Sequence, residues 1–323
     1  MDRRTFARTI AAVLAGLGLP AQGRGASVAR SPFGSLPPTS LPTRRLGRTG
    51  LEVPILALGG HHVGRAASEA DARVLVETAL EAGIRFFDNA ESYQNGMAER
   101  WLGAALQDVR SDVLIMTKTH SPQDRSGESA RRHLEGSLER LRTDYLDVWQ
   151  LHSTKSVEDV DRAFRPGGAM EYIMRAKEEG LVRFVGVTGH VTPAAHRRAL
   201  KYWDDGWQFD TFQFPINPID YHQRSFQRQV LVDIVARDIG MIAMKTSADG
   251  RLLREGICTI EETLRYVWSL PVNVAVVGME RPELVRHNAQ IARVFEPMSP
   301  AELQALRNRT EPRADLSLEW YKT

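Results

Sequence analysis

The stretch Asp144-Tyr-Leu-Asp-Val-Trp-Gln-Leu-His152 decides the fold, because it joins an apolar run to a polar residue at its end. The run predicts a strand over residues 146–152, since a short apolar run of four to eight residues is typical of a buried strand. An amphipathic helical pattern precedes it over residues 128–141, and another follows over residues 169–179. A buried strand between two amphipathic helices is the unit from which parallel α/β sheets are built.

The same alternation of strand and helix continues from Arg44 onward. Strands are predicted at residues 55–59, 85–88, 113–118, 146–152, 184–188, 209–214, 240–245 and 273–278. Helices are predicted at residues 68–82, 97–106, 128–141, 169–179, 193–202, 223–237, 260–268 and 281–295. Eight strand–helix units over about 250 residues predict an α/β protein with a single (β/α)8 TIM barrel. An open doubly wound sheet is the alternative, but no Gly-x-Gly-x-x-Gly follows the first strand.

The sequence predicts that the chain consists of three segments. Residues 44–323 form the predicted barrel, and Arg45-Leu-Gly-Arg-Thr-Gly50 predicts an N-terminal hairpin that caps the barrel floor. Residues 31–43 contain four prolines, which favour an extended linker. Residues 1–30 have the composition of a signal peptide and are predicted to lie outside the folded domain.

The first residues carry a charged start, an apolar run over residues 9–19 and a small-residue stretch, Ala21-Gln-Gly-Arg-Gly-Ala26. Arg3-Arg4-x-Phe6 resembles the twin-arginine signal, by which bacteria export folded proteins. The apolar run is shorter than the roughly 20 residues of a membrane-spanning helix, so no stable membrane insertion of the mature chain is expected. The leader therefore predicts the twin-arginine export machinery as a partner and a periplasmic location. If the leader does not function, the chain is cytoplasmic.

Composition excludes several classes of function. The 42 basic and 40 acidic residues give a net charge of +2, and no basic stripe interleaved with aromatic residues predicts a nucleic-acid partner. The single cysteine, Cys258, excludes an internal disulfide, a cysteine-based zinc site and an iron–sulfur cluster.

Four residues with useful chemistry lie at or just after the ends of three consecutive predicted strands. Asp88, Lys118 and His152 end their strands, and Tyr93 follows in the loop after Asp88. In a barrel, such positions converge on the mouth formed by the loops that follow the strands. A lysine buried there needs a partner, which Asp88 supplies. A lysine beside the phenol is expected to lower the pKa of Tyr93 and to make it a general acid, with His152 orienting a carbonyl.

The sequence resembles the aldo-keto reductases over residues 44–295. The resemblance rests on Arg45-Leu-Gly-Arg-Thr-Gly-Leu51, on Asp88 and Tyr93 within Asp-x-Ala-x-x-Tyr, on Lys118 after an apolar strand, and on the stretch that ends at His152. It implies a (β/α)8 barrel, a catalytic tetrad of these four residues and a small-molecule carbonyl substrate. The implied reaction is the NAD(P)H-dependent reduction of an aldehyde or ketone to an alcohol, or its reverse.

The resemblance also implies a nicotinamide cofactor across the barrel mouth. The residues carried over as its contacts are Thr188, Gly189, Gln213, Lys245, Gly278, Glu280, Arg281 and Asn288. Gly189 replaces an asparagine of the family pattern, and Ile216 replaces a tyrosine that stacks on the nicotinamide. Glu280 stands where a serine often meets the 2′-phosphate, and a carboxylate there repels it, whereas Arg281 attracts it. NADP(H) is the expected cofactor and NAD(H) the alternative.

Histidines at the mouth leave other interpretations open. His61, His62 and His120 are predicted to shape the substrate pocket. Together with His152 and His190 they could instead bind a divalent metal, although adjacent side chains on an extended segment point to opposite faces, so no metal site is assigned. A third interpretation is a nucleotide-binding barrel with a sensor or structural role and little turnover.

Overall fold

A computed structural model describes residues 40–323 of the chain. The predicted signal peptide and most of the predicted linker therefore lie outside the described residues. Leu41 is buried and Thr43 begins a strand, so the packed domain starts slightly before Arg44.

The predicted barrel is confirmed. Strands β1 (Thr43–Arg45) and β2 (Glu52–Pro54) pair antiparallel and form the N-terminal hairpin. The barrel strands are β3 (Leu56–Gly59), β4 (Phe86–Asp88), β5 (Leu114–Thr119), β6 (Leu146–Leu151), β7 (Val182–Thr188), β8 (Thr211–Pro215), β9 (Gly240–Met244) and β10 (Val274–Val277). All eight are parallel to their neighbours, and β10 pairs with β3 to close the ring. Each predicted strand is present, with its ends displaced by at most two residues.

Helices cover the outside of the barrel. They are α1 (Gly60–Val63), α2 (Glu69–Glu81), α3 (Met97–Leu106), α4 (Gly127–Leu141), α5 (Val157–Phe164), α6 (Ala169–Glu178), α7 (Pro193–Asp204), α8 (Val232–Ala236), α9 (Arg251–Arg254), α10 (Ile260–Trp268), α11 (Pro282–Arg293) and α12 (Pro300–Thr310). A π-helical turn (Gln227–Leu231) leads into α8, and short 3-10 turns occur at Gly47–Thr49, Tyr93–Gly96, Gln107–Asp112, Glu311–Arg313 and Trp320–Lys322. The Ser68 and Thr192 side chains cap α2 and α7, because each accepts a hydrogen bond from a backbone N–H group in the first turn of its helix.

Two apolar layers hold the fold together. The larger lies between strands and helices, and the smaller fills the inside of the barrel. The hairpin contributes Leu46, Leu51 and Val53 to the inner layer, where they meet residues such as Phe86 and Met116. The hairpin thus caps the barrel floor as predicted. Because side chains alternate along a strand, the next inward residues after Phe86 and Met116 are Asp88 and Lys118, at the opposite end.

His196 of α7 is a buried polar residue in this apolar surrounding. It is fully buried, and its ring lies 5.4, 5.3 and 5.1 Å, centroid to centroid, from those of Phe212, Phe214 and Phe226. Burial lowers the pKa of His196 from 6.5 to about 4, because the charged imidazolium loses its hydration.

This lowered pKa predicts a loss of stability in acid. The unfolded chain binds a proton at His196 near pH 6.5, whereas the folded chain does so only near pH 4. The free energy of unfolding therefore falls through this window, by about 1.4 kcal/mol per pH unit for one proton. We expect urea unfolding of His196→Leu to show a smaller decrease between pH 7 and pH 5 than the wild-type chain. Equal decreases in the two proteins would contradict this assignment.

Candidate active site

A buried ion pair lies at the centre of the barrel mouth. Asp88 ends β4 and Lys118 lies near the end of β5, and both side chains are almost completely buried. The Lys118 Nζ donates to Asp88 Oδ1 and, at 2.5 Å, to the backbone oxygen of Asn89. Burial alone would lower the pKa of Lys118, but Asp88 and Tyr93 raise it above its ordinary value. Lys118 therefore remains an ammonium.

Tyr93 begins a short turn after β4, where Gln94 and Asn95 both have left-handed backbone. The Lys118 Nζ lies 5.4 Å from the centroid of the Tyr93 ring. The Tyr93 residue is partly exposed to solvent. The protein around its phenol nevertheless removes enough water to raise the pKa of the hydroxyl group. The positive charge of Lys118 lowers the pKa of Tyr93, whereas the negative charge of Asp88 raises it further. The expectation that Lys118 brings the Tyr93 pKa below its ordinary value is thus wrong, because desolvation of the phenolate outweighs the attraction of the ammonium.

His152 follows β6 and faces Tyr93, with ring centroids 6.1 Å apart. Burial, and then the positive charge of Lys118, hold the pKa of His152 well below 6.5. Its imidazole is therefore neutral near pH 7 and can act as a hydrogen-bond donor. The four tetrad residues come together at one mouth, as their strand positions predicted.

Arg125 is a residue of this site that sequence reasoning missed. Its guanidinium is fully buried and forms a two-pronged ion pair with Asp159, at 2.9 and 2.7 Å. It also donates to the backbone oxygens of His152, at 2.8 Å, and Ser153, at 3.0 Å. It thereby fixes the backbone that carries His152. In the sequence, Arg125 lies in a polar loop beside Asp124, a context that gives no signal of burial.

The other predicted pocket histidines lie at three different places in the mouth. The His61 ring lies 5.2 Å from that of Tyr93, and the His120 ring 4.9 Å from that of His152. Burial lowers the pKa of His120 to about 4. His62 instead lies against Gly278, where a Cβ atom would come within 2.1 Å of its ring.

The metal interpretation gains no support from this arrangement. His61 and His62 lie in the helical turn α1 and not on an extended segment. The expectation that their side chains point to opposite faces of an extended segment is therefore wrong. Even so, residues 40–323 contain no cluster of three or more histidine, cysteine or acidic side chains suited to a metal ion. His190 is engaged elsewhere, because its Nδ1 lies 3.0 Å from the backbone oxygen of Tyr321.

The residues expected to contact a cofactor line the side of the mouth formed by the ends of β7 to β10. Gln213 is buried beside Asp88, and neither its amide oxygen nor its nitrogen has a hydrogen-bond partner within 3.5 Å in the described chain. The Oδ1 atom of the buried Asn288 on α11 also has no partner there. Thr188 is buried at the end of β7, and Gly189 follows it. A Cβ atom at Gly189 would lie 2.5 Å from the Thr154 backbone oxygen, so the backbone here leaves no room for an asparagine side chain.

The remaining positions differ in their exposure and contacts. Glu280 and Arg281 are exposed just before α11, with Arg281 at its N-cap. The Lys245 Nζ is paired with Asp249 at 2.9 Å. Ile216 is completely buried, so its side chain offers no free surface for stacking.

Comparisons with known proteins agree with this geometry. The model of the aldo/keto reductase family matches residues 55–261. The chain belongs to the aldo/keto reductase family. It is 34% identical over 162 residues to L-galactose dehydrogenase of Arabidopsis thaliana, covering 47% of this chain and 49% of that protein. It is 35% identical over 213 residues to methylglyoxal reductase YeaE of Escherichia coli, covering 64% and 69%. The chain thus spans about half the length of the Arabidopsis protein.

A solved structure shows the same fold. The aldo/keto reductase of Klebsiella pneumoniae in complex with NADP and acetate matches with a TM-score of 0.67 and 22% identity, covering 83% of this chain and 95% of that one. At this identity the likeness concerns the fold alone. It agrees with the closed barrel described above.

The Asp88–Lys118 pair predicts a specific pattern of stability. Lys118→Met leaves a buried carboxylate without its partner, which costs about 3–5 kcal/mol of unfolding free energy. Adding Asp88→Asn removes that charge, so the double variant is expected to be more stable than Lys118→Met alone. Urea unfolding of the two single variants and the double variant tests the coupling. A double variant that loses the sum of the two single losses would contradict it.

Proposed function

We propose that this chain is an NAD(P)H-dependent carbonyl reductase that converts an aldehyde or ketone to an alcohol, or catalyses the reverse reaction. The observation that carries the proposal is the geometry of the mouth, where Tyr93 lies beside the Lys118–Asp88 pair and opposite His152. Membership of the aldo/keto reductase family supports it. A small-molecule carbonyl compound is the proposed substrate.

The mouth fits the nicotinamide cofactor that the family implies. Buried amide atoms without partners, such as both those of Gln213 and the Oδ1 atom of Asn288, are costly unless a ligand completes their hydrogen bonds. Gln213 and Thr188 would hold the nicotinamide end, Lys245 the pyrophosphate, and Gly278, Glu280, Arg281 and Asn288 the adenosine end. When bound, the reduced nicotinamide supplies the hydride that adds to the carbonyl carbon.

The side chains of the tetrad carry out the proton transfer. Tyr93 donates a proton to the carbonyl oxygen, because its phenol is protonated near neutral pH. The Lys118 ammonium then stabilises the phenolate that remains, because opposite charges attract strongly in a buried site. The neutral His152 orients the carbonyl oxygen by a hydrogen bond. Arg125 keeps His152 in place.

The cofactor preference depends on opposing charges. The Glu280 carboxylate repels the 2′-phosphate that distinguishes NADP(H) from NAD(H). Arg281 and the N-terminus of α11 attract it. The complex of the Klebsiella pneumoniae relative with NADP supports NADP(H), which we propose as the cofactor, with NAD(H) as the alternative. Titration of tryptophan fluorescence with NADPH and with NADH, each alone, distinguishes them.

The role of Tyr93 predicts a separation of chemistry from binding. Tyr93→Phe removes only the hydroxyl group, so turnover of a test aldehyde falls by at least about 100-fold. NADPH affinity, measured by fluorescence titration, remains close to that of the wild-type chain. Tyr172→Phe, a matched change on the outer helix α6, leaves both unchanged.

Two results would count against this role. Equal losses of turnover and nucleotide binding in Tyr93→Phe would make Tyr93 a structural residue. A wild-type chain that binds nucleotide but reduces no carbonyl compound would favour the sensor or structural interpretation instead.

We also propose that the chain is exported through the twin-arginine machinery to the periplasm, on the basis of Arg3-Arg4-x-Phe6 and the apolar run that follows. No helix among residues 40–323 is long and apolar enough to cross a membrane. Export of an already folded barrel would allow a cofactor bound in the cytoplasm to travel with the protein.

The export proposal predicts an effect of charge-conserving changes. The variant Arg3→Lys with Arg4→Lys keeps the positive charges but removes the guanidinium pair that defines the signal. In bacterial cells this variant is expected to accumulate in the cytoplasm, whereas the wild-type chain appears in the periplasmic fraction. Immunoblots of the two fractions measure the distribution. Unchanged periplasmic recovery of the variant would contradict twin-arginine export.

A further inference from the structure

Residues 318–323, called the lip segment below, lie against the cofactor side of the barrel mouth. Glu319, Tyr321 and Lys322 are each no more than 2% exposed. Charged side chains such as those of Glu319 and Lys322 are rarely so deeply buried unless they are paired, and no step of the proposed reaction uses any of these three residues. The contacts of the lip segment indicate what it does.

Lys322 anchors the lip segment through a buried cluster of charges. Its Nζ donates to Asp220 Oδ1 at 2.7 Å, to Glu319 Oε2 at 2.7 Å and to the backbone oxygen of Gln223 at 3.1 Å. All three charged groups are excluded from water. Such a cluster is stable only while every partner is present, so the docked position of the segment is tightly specified.

The segment also links three loops of the mouth. Asn217, in the loop after β8, donates from Nδ2 to the Lys245 backbone oxygen at 3.2 Å, to Glu319 Oε1 at 3.1 Å and to the Tyr321 hydroxyl at 3.0 Å. His190, in the loop after β7, donates from Nδ1 to the Tyr321 backbone oxygen at 3.0 Å. The loops after β7, β8 and β9 are therefore connected through the lip segment.

The loop after β9 needs this support. Lys245, Ala248 and Asp249 have φ values of 52°, 50° and 60°, a left-handed backbone that side chains other than glycine disfavour. Such strain persists only where surrounding contacts determine the conformation. The Trp320 Nε1 donates to Asp249 Oδ2 at 3.3 Å, and the Lys245 Nζ lies 5.6 Å from the ring centroids of both Trp320 and Tyr321.

We propose that the lip segment positions loop 245–250 for the dinucleotide, and that cofactor affinity therefore depends on the buried Lys322 cluster. This inference rests on the proposed function, in which Lys245 contacts the cofactor. The segment stabilises the loop and does not block the ligand. Within the described chain, the free amide atoms of Gln213 and Asn288 receive no hydrogen bond from it or from any other residue.

The test compares changes at the anchor with a matched control. Lys322→Met leaves Asp220 and Glu319 as buried, unpaired carboxylates, so the lip segment separates from the mouth. We expect NADPH affinity to fall at least about ten-fold, and KM for NADPH to rise similarly, while kcat at saturating NADPH stays within about two-fold. Lys177→Met breaks a Lys–Asp pair of 2.6 Å with Asp210, which precedes β8 at the other end of the barrel, and leaves both values unchanged.

A second measurement needs no nucleotide. Hydrogen exchange of loop 245–250 is expected to be faster in Lys322→Met than in the wild-type chain, with the barrel strands unaffected. If Lys322→Met does not fold, Tyr321→Phe removes only the hydroxyl that contacts Asn217 and Glu319, and is expected to show the same changes to a smaller extent.

The outcomes separate this inference from the proposed function. Tighter NADPH binding in Lys322→Met would mean that the segment covers the site, and unchanged affinity with faster loop exchange would mean that the loop does not bind the cofactor. Either result overturns the inference. A wild-type chain that binds neither NADPH nor NADH would overturn the proposed function itself, and the exchange experiment would still report whether the segment orders the loop.

Discussion

The ion pair between Asp88 and Lys118 is the constraint on which the mouth of the barrel depends. Below it, the inside of the barrel is filled with apolar side chains, which offer no partner to a charged group. An ammonium at this depth is stable only with a carboxylate beside it, and β4 and β5 supply the two from neighbouring strands. The fixed positive charge then acts on both remaining groups, favouring the phenolate form of Tyr93 and disfavouring protonation of His152.

Burial shifts the pKa values of Tyr93 and His152 more strongly than the charge of Lys118 does. It raises the pKa of Tyr93 despite Lys118, and it is the main cause of the low pKa of His152. Both effects have one origin, because a surrounding of low polarity disfavours whichever form carries the charge. The result is a neutral phenol and a neutral imidazole beside one ammonium. A neutral phenol is the form needed to give a proton to a carbonyl oxygen, and the attraction of Lys118 for the phenolate partly offsets the rise in pKa that burial causes.

The barrel and its tetrad could be predicted because each depends on local patterns. Apolar runs mark the strands, and a polar residue at the end of a run falls at the mouth by the geometry of parallel strands. What the sequence did not reveal depends on contacts between distant residues. Arg125 and Lys322 are charged residues in polar segments, where exposure is the ordinary expectation, and only their distant partners Asp159 and Asp220 make burial possible. The sign of the Tyr93 shift was missed for the same reason, since burial is a property of the whole fold.

The two sides of the mouth differ in the elements that hold their residues in place. The proton-transfer side uses Asp88, Lys118 and His152, at or next to the ends of β4, β5 and β6, where the hydrogen bonds of the barrel fix the backbone. Of this group only Tyr93 lies in a turn, the one that follows β4. The cofactor side uses loops, and the loop after β9 has a strained backbone that its own strand does not fix. A side built from loops needs contacts from elsewhere in the chain to define its shape, and the hydrogen bonds from Asn217 and the lip segment provide them. The chemistry of the site is therefore determined by the barrel itself, whereas the shape of its cofactor side is determined by residues that lie outside the strands.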